Sequence, residues 1–305
     1  MKWTTLVLIF TILLTPQLCL AKRSAKTIFA DQSKLNRKWS RLFRRSDRNL
    51  KYLFNLLSDS STGRKLLKKA KIRARAMGKT LLEVVIPGSG SLTDSTLYRR
   101  FSASNPEQVI FESNSLVYIN SDLPVIDAVL DLSHELTHFV YRKAFNPYKD
   151  SFNVKEFITA TIEGSGGEVD AFLNECRVLK ELFRKSNSSR YHCHLIKDHD
   201  GDLSRRLAKF HFYKVGQGHH YLTENLHKKG HEIQYLSDEN PVFISSTYGD
   251  SYPMAAYKEY ITVKEKACKN EGRRVSYIKQ ASGRSPAYVK KSYQKIINSY
   301  ESRCL

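Results

Sequence analysis

After residue 21 the sequence contains no apolar stretch long enough to cross a bilayer, which takes about twenty residues, so no membrane span is expected beyond the amino-terminal segment. Cysteine is scarce, five in 305 residues, and no two stand in C-x-x-C spacing. That spacing is the mark of thiolate zinc modules, and its absence argues against one here. Acids are few as well: 30 Asp and Glu face 50 Lys and Arg, a formal charge of +20. Such a surface favours anionic partners, whether nucleic acid, acidic lipid or wall polymer, and charge alone does not choose among them. Internal repeats and low-complexity tracts are lacking too, so no solenoid is expected. Apolar residues, at 41%, are enough for a real core.

The first 21 residues read as a secretory signal. Lys2 supplies the charge, Trp3 to Thr15 the apolar run, and Cys19-Leu20-Ala21 the cleavage context. The expected location is therefore secreted or periplasmic. In an oxidising compartment the remaining Cys176, Cys193, Cys268 and Cys304 should form two disulfides. Short loops close most easily, which favours Cys176–Cys193 and Cys268–Cys304.

Residues 22–80 form a basic region, with nineteen Lys and Arg against three acids. Leu35, Trp39, Leu42, Phe43, Leu50, Leu53, Phe54 and Leu57 recur at helical spacing; Leu66, Leu67, Ala70 and Ile72 mark a second helix ending near Gly78. The basic faces are a candidate docking surface for an anionic polymer or surface. From residue 81 the pattern changes. Leu82 to Ile86 reads as a strand stopped by Pro87-Gly88, and Val109–Phe111 with Leu116–Ile119 as a hairpin around Glu112–Ser115. Residues 251–305 read as a helical extension, its last helix opened by Ser285-Pro286. The fold expected is α+β.

The sharpest signal is His134-Glu135-Leu136-Thr137-His138. It reads H-E-x-x-H, and a chance match is expected on the order of 0.02 times in a chain of this composition. On a helix, positions i and i+4 share a face, so both imidazoles can address one metal ion with Glu135 beside them. Val125, Ile126, Val129, Leu130, Leu132, Leu136 and Phe139 supply a helix around it, with Pro124 in its first turn and Ser121 or Asp122 as cap.

A catalytic zinc site needs a third protein ligand. The long H-E-x-x-H-x-x-G-x-x-H pattern is excluded, because position 141 is Tyr and position 144 is Ala. A carboxylate from a following helix is the natural substitute. Glu168, Glu163 and Glu259 are the candidates by placement, Glu168 opening a helix expected to run to about Phe183.

In these residues the chain resembles gluzincin-type zinc metallopeptidases, in which a Glu of the next helix completes the site. Glu168-Val169-Asp170-Ala171 is similar to the E-x-x-A part of their E-x-x-A-D signature. The resemblance implies a zincin-like domain over residues 81–250, Zn2+ held by His134, His138 and Glu168, and Glu135 as general base toward a peptide or protein substrate. Phe172 stands where that signature has an Asp supporting a ligand His, and Asp170 or Glu175 would have to substitute. Two other readings accompany this one: a basic binding protein with a structural zinc, and a zinc hydrolase of cell-wall peptides or amides. His219, His220, His231, Tyr248 and Tyr252 are candidates for stabilising an oxyanion. His192, His194 and His199, near Asp198 and Asp200, are candidates for a second metal site. The strand preceding the motif helix is expected to pair with extended substrate.

Overall fold

The computed structural model describes residues 32–183, 191–282 and 287–305. The expected signal at 1–21 and the Ser285-Pro286 helix start lie outside the described residues. The fold is α+β. In chain order it has α1 (Gln32–Leu35), α2 (Ser46–Asp59), α3 (Ser61–Ala76), α4 (Leu81–Val84), β1 (Val85–Gly88), β2 (Leu92–Phe101), β3 (Val109–Asn120), α5 (Val125–Tyr141), α6 (Val154–Glu163), α7 (Glu168–Leu182), α8 (Arg205–Phe212), α9 (His219–His227), α10 (Tyr252–Ser282) and α11 (Ala287–Cys304).

Two expectations about strands are corrected. Leu81–Val84 is a helical turn, because Thr80 and Glu83 form a capping box there, and the strand starts only at Val85. The hairpin expected around Glu112–Ser115 does not exist: Val109–Asn120 is one continuous strand. Its partner is β2, antiparallel from Leu92↔Tyr118 to Phe101↔Val109. The polar quartet Glu112–Ser115 stays extended because every residue of it is paired with β2, Ser115 with Ser95 through to Glu112 with Tyr98. β1 pairs with β3 in parallel, so the sheet order is β1-β3-β2. The strand before the motif helix, β3, is paired on both sides only at Val117 and Tyr118; from Val109 to Leu116 it pairs with β2 alone, and among the described residues β2 has an unpaired edge of its own beside the cleft.

A single hydrophobic core runs from Trp39 to Tyr260. It is continuous across residues 80 and 250. The basic segment contributes Trp39, Leu50, Leu53, Leu57 and Ala70 to it, and its cationic side chains stay outside. The Trp39 indole N–H donates to the Asn120 carbonyl at 2.7 Å, fixing the turn that leads from β3 into α5. The break between α2 and α3 is a single residue, Ser60, whose hydroxyl accepts from Gly63 N–H. Glu181 of α7 reaches the same helix start, accepting from Thr62 N–H at 3.0 Å and the Thr62 hydroxyl at 2.8 Å. Its carboxyl is held down at about 2; burial opposes this, and the Ser60, Thr62 and Ser61 donors outweigh it.

Both disulfides are those expected, Cys176–Cys193 and Cys268–Cys304. The second joins α10 to α11, where Val275, Ile278, Tyr293 and Ile297 form a separate small cluster. Among the described residues no helix is long and apolar enough to cross a membrane.

Candidate metal centre

The motif helix α5 is almost wholly buried on its inner face, with Ala128, Val129, Leu132, Leu136 and Phe139 at 0% exposure. Pro124 is its cap residue rather than Ser121 or Asp122, its carbonyl accepting from Ala128 N–H. The helix ends where Arg142 N–H donates to the His138 carbonyl.

α7 comes back against this end through Gly166-Gly167. Gly166 has φ +68°, and a Cβ there would lie 2.6 Å from Arg142 N and 2.8 Å from Tyr141 Cβ. Only glycine serves at such a position, where the backbone is left-handed and another chain lies against it. The close approach has a direct consequence for the site. The Gly166 carbonyl accepts from His138 Nδ1 at 2.7 Å, which leaves Nε2 as the free nitrogen of that ring. On the other ring, His134 Nδ1 donates to Glu175 Oε2 at 3.1 Å. Glu168 and Glu175 are seven residues apart on α7 and share a face, so one helix serves both nitrogens of His134.

The two Nε2 atoms converge on Glu168. Its Oε2 is 3.3 Å from His134 Nε2 and its Oε1 is 3.5 Å from His138 Nε2. Ligand atoms of all three residues lie within 4.8 Å of one another. A tetrahedral ion with bonds of about 2.0–2.1 Å sets its ligands roughly 3.3 Å apart, close to the two spacings from Glu168, so this group could hold a metal ion. Neutral imidazoles and an ionised carboxylate are also the donor chemistry zinc takes. Burial works against a charged His134, but the Glu168 and Glu175 carboxylates bracketing the ring raise its pKa well above the ordinary value in the metal-free protein. Burial likewise opposes ionisation of Glu168, and the two imidazoles overcome it, lowering its pKa.

Glu135 is 7% exposed and faces the cleft beside the triad. Its Oε2 accepts from the Thr93 hydroxyl of β2 at 2.7 Å, and its backbone carbonyl lies 2.9 Å from the same hydroxyl. One turn earlier, burial pushes Asp131 up to about 7, with the Ser91 hydroxyl pulling it down and Glu175 adding to the rise.

The other candidate ligands are placed differently. Glu163 turns away from the site: its Oε1 accepts from the Tyr213 hydroxyl at 3.1 Å and its Oε2 pairs with Lys209. Glu259, on α10, lines the cleft across from the triad; burial raises its pKa, with Arg142 pulling the other way. Phe172 is 6% exposed against Phe243 and Phe212. Glu175, one turn further on, makes the bond to His134 instead. Asp170 is occupied elsewhere, accepting from Gly166 N–H and pairing with Arg205.

Of the residues considered for an oxyanion, Tyr248 and Tyr252 line the cleft, while His219, His220 and His231 do not. Burial raises the Tyr252 pKa well above its usual value, and the Glu168, Glu135 and Glu175 charges add to this, so its hydroxyl stays a proton donor. Asp198, His199 and Asp200 form a second group of close ligand atoms, fully exposed and without His192 or His194. The cleft has a volume of about 730 Å³, within the usual range for small-molecule or peptide sites.

Thr93, Ser91 and the Gly166 carbonyl are functional groups that the sequence reading missed. Thr93 lies in Thr93-Asp94-Ser95-Thr96, a polar run whose only strand signal is its threonines. No protein-family model matches the chain, and comparisons with curated proteins and with solved structures return no significant match.

Proposed function

We propose that this chain is an exported zinc-dependent peptidase, with His134, His138 and Glu168 as ligands and Glu135 as general base. The observation that carries the reading is the convergence of two oriented Nε2 atoms and one carboxylate, at the floor of an open cleft, with a second carboxylate, Glu135, alongside. A purely structural ion would need neither the cleft nor Glu135.

Zinc in this site would polarise a substrate carbonyl and acidify the attacking water. The chain's own residues account for the remaining steps. Glu135, held by Thr93, takes the proton of the attacking water and delivers it to the leaving amine. Tyr252 keeps its proton and donates a hydrogen bond to the oxygen that gains charge. The unpaired edge of β2 offers backbone N–H and C=O groups to an extended peptide. The two disulfides support export.

The test is hydrolysis of a mixed peptide set by the zinc-loaded protein and by Glu135→Gln. The variant keeps the side-chain shape and removes the base. It should retain zinc and lose at least about 10³-fold in kcat. Undiminished turnover in Glu135→Gln would contradict the assignment.

A further inference from the structure

The charge of the cleft changes along its length. Near the triad its lining carries four acidic residues, Asp94, Glu135, Glu168 and Glu259, against one basic residue, Arg142. Away from it, over residues 97–99, 145–148 and 263–273, every charged lining residue is basic: Arg99, Lys266, Lys269 and Arg273. The walls explain this arrangement. Tyr252, Glu259, Lys266 and Arg273 succeed one another every seven residues along α10, so one face of one helix runs the length of the cleft. β2 forms the facing wall, from Thr93 at Glu135 to Arg99.

The two walls are tied together at the far end. Arg99 is buried, ion-paired with Glu271, hydrogen-bonded to Asn270 Oδ1 at 3.0 Å and stacked over Tyr148 at 3.8 Å. Arg274 donates to the carbonyls of Pro106 and Glu107 at 2.7 and 3.2 Å, strapping the β2–β3 turn to α10. From Thr93 to Arg99 an extended strand covers about 20 Å. From Glu259 to Arg273 a helix covers about 21 Å. The two walls thus agree on a groove for about six extended residues, measured from the metal centre to the strap.

Arg99 spends its charge on Glu271. Lys266, Lys269 and Arg273 are exposed, and their side chains make no hydrogen bond or ion pair with any described residue. Three free cations at the closed end of a peptide-sized groove call for a carboxylate.

Resting on the peptidase reading, we infer that the groove selects peptides carrying a carboxylate about five or six residues from the scissile bond, held by Lys266, Lys269 and Arg273. The carboxylate can belong to an Asp or Glu side chain or to the peptide's own C-terminus, since both present the same anion to the same cations.

The test uses ten-residue peptides of one cleavable sequence, with either two Glu or two Gln at the distal positions, each as free acid and as C-terminal amide. Binding to zinc-loaded Glu135→Gln is followed by fluorescence anisotropy at low salt. Peptides bearing a carboxylate should bind about tenfold tighter than the amidated Gln peptide, and the advantage should fall below about twofold when Lys266→Glu and Arg273→Glu are added. Amidation that removes the advantage of the Gln peptide identifies the terminus as a source; an advantage of the amidated Glu peptide identifies the side chain. Lys65→Glu with Lys68→Glu, which removes the same charge from α3, should leave the preference intact. Equal binding of all four peptides, or loss of the preference in the α3 control, would overturn the inference. Wild-type cleavage separates the two claims. Preferential binding without cleavage of any peptide sinks the peptidase reading and leaves the groove. Cleavage without preference does the reverse.

Discussion

On the floor of the cleft, the polar groups of α5 are each held by a second bond: His134 by Glu175, His138 by the Gly166 carbonyl, Glu135 by Thr93. On the facing wall, Glu259, Lys266 and Arg273 of α10 line the same space with no side-chain hydrogen bond or ion pair to any described residue. A metal site has to be rigid before the ion arrives, because each ligand that must be reoriented subtracts from affinity. A substrate wall can leave its polar groups to water, since the incoming peptide replaces that water. The difference between the two sides separates the residues expected to govern metal binding from those expected to govern turnover and selectivity.

Tyr252 offers the sharpest way to break this comparison. It belongs to α10 but faces the carboxylates of the floor. Tyr252→Phe should lower kcat by about 10²-fold while leaving zinc content unchanged. A loss of zinc instead would place Tyr252 with the floor residues. Kinetics beside metal analysis of the same preparation reads both.

Glu175→Gln tests the floor itself. The amide keeps the shape but no longer offers an anion to His134 Nδ1. Zinc affinity, measured by competition with a chromophoric chelator, should fall by about 10–100-fold. Unchanged affinity would show that His134 does not need its outer bond.

The smallest expected effect concerns Asp131. Burial raises its pKa from 3.8 to about 7 in the metal-free fold. A folded-state pKa above the unfolded value means that ionisation is penalised in the fold. The contribution of Asp131 to stability should therefore fall as pH rises from about 4 to 7 and level off above that. Asp131→Asn escapes the penalty and can still accept a bond from Ser91. The metal-free variant should be more stable than wild type by on the order of 2 kcal/mol at pH 8, with a gap that narrows toward pH 5. Denaturant melts at the two pH values give the comparison; a gap that widens toward pH 5 would reverse the sign.

The sequence was most readable where one local rule dominated. The H-E-x-x-H helix, the glycine break before Glu168 and the extent of α7 each follow from spacing or backbone freedom within a few residues. Both disulfide pairings followed from short loops. The sheet was less readable because Glu112–Ser115 carries turn chemistry and is kept extended by partners 14 to 20 residues away. Thr93 was hidden for the same reason, since its role depends on β2 lying against α5. The outer bond to His134 could be narrowed to Asp170 or Glu175, but choosing required knowing that Arg205 and the Gly166 N–H occupy Asp170. Glu163 and Glu168 are only five residues apart in the chain, yet Tyr213 and Lys209 hold Glu163 on the other side of the glycine turn.

That last pair supplies the most direct test of the central claim, that His134, His138 and Glu168 hold one zinc ion. Zinc per chain is measured by plasma mass spectrometry after dialysis for wild type, Glu168→Ala and Glu163→Ala. The account predicts one zinc in wild type, close to one in Glu163→Ala and nearly none in Glu168→Ala. Zinc retained in Glu168→Ala and lost from Glu163→Ala, or no zinc in the wild-type protein, would contradict it.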